Sequence, residues 1–148
     1  EEKSGAEEEM ETFPEKLSGM RVLLVEDNEI NMEIAEFYLT EAGAKTEKAW
    51  NGAEAVQKFA ESETGSFDVI LMDVMMPVMD GLEATRRIRA LEHPDAGTVT
   101  ILAMTAQSSA DSIHQCEQAG MNGYIAKPVE AAELIKILSE KCPKGCKR

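Results

Sequence analysis

The chain has 148 residues and 43% apolar side chains, enough for one domain with a sizeable core. Its formal net charge of −13 argues against a nucleic-acid-binding surface. No apolar run reaches the length needed to span a bilayer.

The chain opens EEKSGAEEEMETFPEK, with neither an initiator Met nor a secretory pattern, so we expect a fragment or processed product. Residues 1–20 hold seven Glu and two Lys, net −5, and leave −8 for the remainder. So few apolar residues there predict a tether over 1–19 rather than part of the core. Arg21–Glu26 is a dense apolar run suited to a strand buried on both faces. Asn28 to Ala42 reads as a helix with Ile30, Ile34, Tyr38 and Leu39 inward, ended by Gly43. Lys45–Ala49 has the polar pattern of an edge strand. After the Asn51-Gly52 turn, Ala53, Val56, Phe59 and Ala60 mark a second helix. Phe67–Met72 is the strongest buried strand, broken by Met75-Met76-Pro77. Asp80 is placed to cap a helix carrying Leu82, Thr85, Ile88 and Leu91. Thr98–Met104 is a fourth strand. Ser108 or Ser109 caps the next helix, with Ile113, Cys116 and Ala119 on one face and Gly120 at its end. Gly123–Ala126 is a short fifth strand before Pro128, and Glu130–Glu140 a last helix with Leu134, Ile135 and Leu138 inward. The domain is thus expected over 20–140, followed by a tail at 141–148 with three Lys and one Arg. No output domain is expected after that helix.

Five alternating strands and helices imply an α/β fold, a doubly wound parallel sheet with helices on both faces. Ligands of such sheets bind outside the carboxyl ends of the strands, near the point where strand order reverses. The residues there are Glu26 and Asp27 after the first strand, Asp73 after the third, Thr105 after the fourth and Lys127 after the fifth. Carboxylates crowded at one rim repel and call for a cation, and an oxygen-only donor set selects a hard ion such as Mg2+. A carboxylate nucleophile, a metal, a hydroxyl and an ammonium together make a phosphoryl-transfer site that forms an acyl phosphate. Nothing in the set is a base that activates water. His93 and His114 fall away from the strand ends, and Cys116, Cys142 and Cys146 follow no disulfide framework, which fits a reducing cytoplasm.

The stretches VLLVEDNEINMEIA, DVILMDVMMPVMDG, ILAMTA and GYIAKPV, in this order and spacing, resemble response-regulator receiver domains over roughly residues 20–140. The resemblance implies a five-stranded flavodoxin-like (βα)5 fold with strand order 2-1-3-4-5. It makes Asp73 the phosphoacceptor and Asp27 a direct Mg2+ ligand, with Glu26 acting mainly through water and the Met75 backbone carbonyl as the third protein ligand. Thr105 and Lys127 would hold phosphoryl oxygens, Lys127-Pro128 would be a cis peptide, and Thr105 with Tyr124 would form the switch. Met75 and Gln107 would flank the approach of hydrolytic water and set the lifetime of the phosphoryl group. The implied phosphodonor is a histidine kinase or a histidine phosphotransfer domain. A homodimer through the fourth helix, fifth strand and fifth helix is one possible assembly, with no membrane contact by the domain itself. The opening E-D-N-E-I-N is similar to receivers fused to hybrid histidine kinases, and the acidic leader would then be an interdomain linker.

Taken singly, each residue has an ordinary reading: Asp73 or Asp27 as a helix cap, Lys127 as a solvated charge, Thr105 as a strand end, Tyr124 as a half-buried ring. The joint arrangement outweighs them. A phosphatase of the haloacid dehalogenase type is disfavoured because Met75 stands where its second acid belongs. A flavin carrier is disfavoured because the loop Glu26-Asp27-Asn28-Glu29 would repel a flavin phosphate. A degenerate docking module would lack the acceptor or the Lys.

Overall fold

The computed structural model describes residues 17–76, 78–106 and 109–141. Five βα units follow one another: β1 Arg21–Val25, α1 Glu29–Glu41, β2 Lys45–Ala49, α2 Gly52–Glu61, β3 Val69–Asp73, α3 Gly81–Arg89, β4 Thr100–Thr105, α4 Ala110–Ala119, β5 Gly123–Ala126 and α5 Ala131–Lys141. The strands form one parallel sheet in the order β2-β1-β3-β4-β5. Strand order therefore reverses between β1 and β3, and the mouth of a doubly wound sheet opens there.

Period-two alternation splits the strand side chains between two cores. Val22, Leu24, Val69, Leu71, Leu102, Met104 and Ile125 pack under α1 and α5. Leu23, Val25, Ile70, Met72, Ile101 and Ala103 pack under α2, α3 and α4. Burial on both faces explains why β3 is apolar up to its last residue, Asp73. The edge strand β2 is polar and mostly exposed, and its lysines Lys45 and Lys48 discourage further strand addition.

Side-chain caps fix where the helices begin. Asn28, Asn51, Asp80 and Ser109 each accept a hydrogen bond from the backbone N–H three residues on. Because Asn28 caps α1, Asp27 is left free for other work. Gly120 ends α4 in the left-handed region at φ 112°.

The inward face of α1 differs from the expectation. Met32, Ala35 and Leu39 are buried, while Ile30 is 67% and Ile34 42% exposed, with Phe37 beside them at 60%. Of the expected stripe, Leu39 is buried and Tyr38 packs against the core from a partly buried position. The helix has apolar residues on nearly every side, so periodicity alone could not choose the face. On α2 the expected Ala60 is exposed, and Ala55 is buried with Phe59.

Candidate phosphoryl-transfer site

Parallel register brings the chain ends after β1, β3, β4 and β5 to one level. Val25 pairs with Met72, so Glu26 lies level with Asp73, and Asp73 pairs with Met104, one residue before Thr105. Thr105 pairs with Ala126, and the Lys127 N–H donates to the Thr105 carbonyl at 2.9 Å. Lys127-Pro128 is a cis peptide. On the β3 side, the Val74 N–H donates to the Met104 carbonyl and the Gly81 N–H to the Val74 carbonyl, folding the loop back to the sheet. Gly81 is required for that return: a Cβ there would collide with the carbonyl oxygen of Asp73.

The side chains meet closely. Lys127 Nζ lies 3.1 Å from Glu26 Oε1 and 3.1 Å from Asp73 Oδ1. Both carboxylates are almost completely buried, and the ammonium is 21% exposed. Glu26 Oε2 also accepts from the Asn28 N–H at 3.2 Å, and Asp73 Oδ1 from the Met75 N–H at 3.3 Å. Asp27 stands exposed at the mouth, and one carboxylate oxygen each from Glu26, Asp27 and Asp73 fall within 4.8 Å of one another. Thr105 is buried at the end of β4.

Two buried carboxylates share one ammonium, with Asp27 crowded beside them, and the electrostatics record the imbalance. Burial, and then the charge of Glu26, push the Asp73 carboxyl from 3.8 up to about 7 despite the attraction of Lys127. Burial works against the Lys127 ammonium, but Asp73 and Glu26 outweigh it and hold the group above its usual range. The donors are all oxygen, so the group that fits is a hard divalent cation.

The structure therefore brings together Glu26, Asp27, Asp73, Thr105, Lys127 and the Met75 backbone. Tyr124 lies apart on β5, 37% exposed, beside a cavity of about 220 Å3 between α4, β5 and α5 that Cys116, Met121 and Ile137 also line. Gln107 and Ser108 lie outside the described residues, as do Cys142 and Cys146. One feature escaped the sequence: a second cavity of about 350 Å3 opens beside the acids, with Ile34, Met104, Pro128 and Val129 in its wall and Glu26 and Lys127 at its polar end. The surplus of apolar residues on α1 was the available signal, because one helix face cannot bury them all.

Comparison with known proteins agrees with this geometry. The response regulator receiver domain family matches residues 22–139. The hybrid signal transduction histidine kinase L of Dictyostelium discoideum is 37% identical over 134 residues, covering 90% of this chain and 8% of that protein. The chain spans less than a fifth of the curated relatives of this kind. Among solved structures, the receiver domain of the sensor histidine kinase PA1611 from Pseudomonas aeruginosa, with magnesium in its active-site cleft, superposes with a TM-score of 0.74 at 41% identity. The match covers 83% of this chain and 97% of that one. The receiver domain of Ssk1 from Saccharomyces cerevisiae, in complex with the histidine phosphotransfer protein Ypd1, gives 0.76 at 31% identity, covering 88% and 93%.

Proposed function

The chain belongs to the response regulator receiver domain family, and from that premise we propose that Asp73 accepts a phosphoryl group from a phosphohistidine on a partner. The observation that carries this assignment is the meeting of Asp73 with Glu26, Asp27 and Lys127 at the carboxyl edge of the sheet. A nucleophile, a cation site and a counter-charge there lie within reach of one phosphorus atom.

In the transfer, an ionised Asp73 oxygen attacks in line. Its bond to phosphorus forms as the bond to the imidazole nitrogen breaks, and the imidazole leaves carrying the electron pair. Lys127 then moves its charge from the carboxylates to a phosphoryl oxygen, and the Thr105 hydroxyl donates to another. Glu26, Asp27, Asp73 and the Met75 carbonyl are the groups that would hold Mg2+. When bound it supplies positive charge that favours ionised Asp73 and offsets the phosphoryl oxygens. Glu26 already has both oxygens engaged, by Lys127 and the Asn28 N–H, which suits an indirect role through water.

The new charge is the switching event. Thr105 is drawn toward the phosphoryl group, Tyr124 turns inward from its part-exposed position, and the surface of α4, β5 and α5 repacks. That surface is also the one through which two copies of the domain would pair. The exposed row Ile30, Ile34 and Phe37 on α1, next to the apolar cavity beside the acids, suits a helix of the phosphodonor laid across the mouth. We assign the receiver to residues 20–140, with 1–19 as an acidic linker and 141–148 as a basic tail, and a cytoplasmic setting in a hybrid kinase. No helix among the described residues is long and apolar enough to cross a membrane.

Incubation with a small acyl phosphate and Mg2+, followed by intact mass and peptide mapping, tests the assignment. One added phosphoryl group on Asp73 is expected. Steady release of phosphate from assorted phosphoesters, or an unmodified chain, would overturn it.

A further inference from the structure

The nine methionines are not equivalent. Met20, Met32, Met72, Met104 and Met121 are buried in the cores, and Met76 and Met79 are partly buried against one of them. Met75 alone among the described methionines is turned out to solvent, at 76% exposure. Its backbone is tied to the site, since its N–H donates to Asp73 Oδ1. Among the described residues the chain therefore places one largely exposed thioether two residues from the acceptor carboxylate and packs the other methionines wholly or partly against the cores. Cys116 does not compete for oxidants. It is buried, and burial together with Glu117 pushes its thiol up, away from the reactive thiolate.

We propose that Met75 is an oxidation site, taking one oxygen atom from hydrogen peroxide and thereby shortening the life of a phosphoryl group on Asp73. The proposal rests on Asp73 being the phosphoacceptor. The step is a two-electron transfer. A sulfur lone pair attacks one peroxide oxygen, the S–O bond forms and the O–O bond breaks. The second oxygen leaves as water, so the thioether is oxidised to a sulfoxide and the peroxide is reduced. Methionine sulfoxide reductases reverse it, which makes the change usable as a switch. A thioether beside the phosphoryl group does not orient a water, because it is a weak acceptor. A sulfoxide oxygen is a strong acceptor and holds a water by its hydrogen at the face where hydrolysis must begin.

The test uses the chain with Cys142→Ser and Cys146→Ser, so that thiol oxidation does not enter the readout. Peptide mapping after limited hydrogen peroxide should find Met75 oxidised ahead of Met20, Met32, Met72, Met104 and Met121. Phosphate release from the oxidised, phosphorylated protein should be several-fold faster than from the untreated protein, and sulfoxide reductase treatment should restore the slow rate. In Met75→Leu the treated and untreated rates should match each other. Oxidation of any of those five buried methionines ahead of Met75, an unchanged or slower release, or the same acceleration in Met75→Leu would each overturn the proposal. An untreated protein that takes no phosphoryl group would overturn it through the Asp73 assignment, with the oxidation map showing separately whether Met75 is the reactive thioether.

Discussion

The two ends of the sheet treat buried polar groups in opposite ways. At the amino end, Arg89 from α3 donates to the carbonyls of Gly120 and Ala96 and to Asn122 Oδ1, at 2.8–3.0 Å. Asn122 Oδ1 also accepts from the Ile101 N–H, and His93 bridges the Ser62 carbonyl and the Asp95 N–H. Each donor there meets an acceptor, and the groups act as ties between loops and strand starts. At the carboxyl end, Glu26 and Asp73 share the ammonium of Lys127, Asp27 stands beside them with no such partner among the described ion pairs, and Asp73 holds its proton to about 7. Stability comes from the satisfied end. The unsatisfied end keeps an excess of negative charge that a divalent cation can offset.

The sharpest break in that comparison is Asp73→Asn. The amide is close in shape but is not a nucleophile, so phosphoryl uptake should fall to none by intact mass. The metal-free fold should gain roughly 1–3 kcal/mol above pH 7, because one crowded charge is removed. A mutant that still gains a phosphoryl group, or that melts lower, would mean the acids are neither the site nor crowded.

Arg89→Ala probes the other end. It leaves the Gly120 and Ala96 carbonyls without the guanidinium donor, leaves Asn122 Oδ1 with the Ile101 N–H alone, and should cost about 1–3 kcal/mol by denaturant unfolding, with phosphoryl uptake retained. Loss of uptake in a protein that is still folded would show that the two ends are not separable.

The pH dependence of stability follows from Asp73. An unfolded Asp releases its proton near 3.8, whereas the folded one keeps it to about 7. Between those values the folded state binds more protons, so this group's contribution is fully present below about 4 and is lost as pH rises through about 7. The melting temperature of the metal-free protein should therefore fall relative to Asp73→Asn over that interval, and Mg2+ should narrow the gap above pH 7. Parallel melting curves for the two proteins would remove the argument for crowding.

The smallest effect expected is at Met75. Met75→Asn should speed loss of the phosphoryl group about tenfold if one water-orienting contact lowers the barrier by about 1.4 kcal/mol. Phosphate release from purified phosphorylated protein measures it, and an equal or slower rate would show that residue 75 does not govern water access.

Much of this was written in the chain locally. Four apolar runs and one polar edge strand, caps such as Asp80 and Ser109, and stops such as Gly43 and Gly120 define the units, because strand burial and cap hydrogen bonds depend on near neighbours in sequence. Parallel pairing then makes the residue after each strand a rim residue, which is why Glu26, Asp27, Asp73, Thr105 and Lys127 could be grouped beforehand. What only the tertiary structure decided is which groups share a partner and which face is covered. Lys127 bridges both Glu26 and Asp73, Arg89 reaches across 31 residues to Gly120, and α1 turns Met32 and Ala35 inward rather than Ile30 and Ile34. Those choices depend on where the sheet and α5 lie relative to each side chain. A helix with apolar residues on most sides, or a long cation among several acids, carries no local signal that selects one outcome over another.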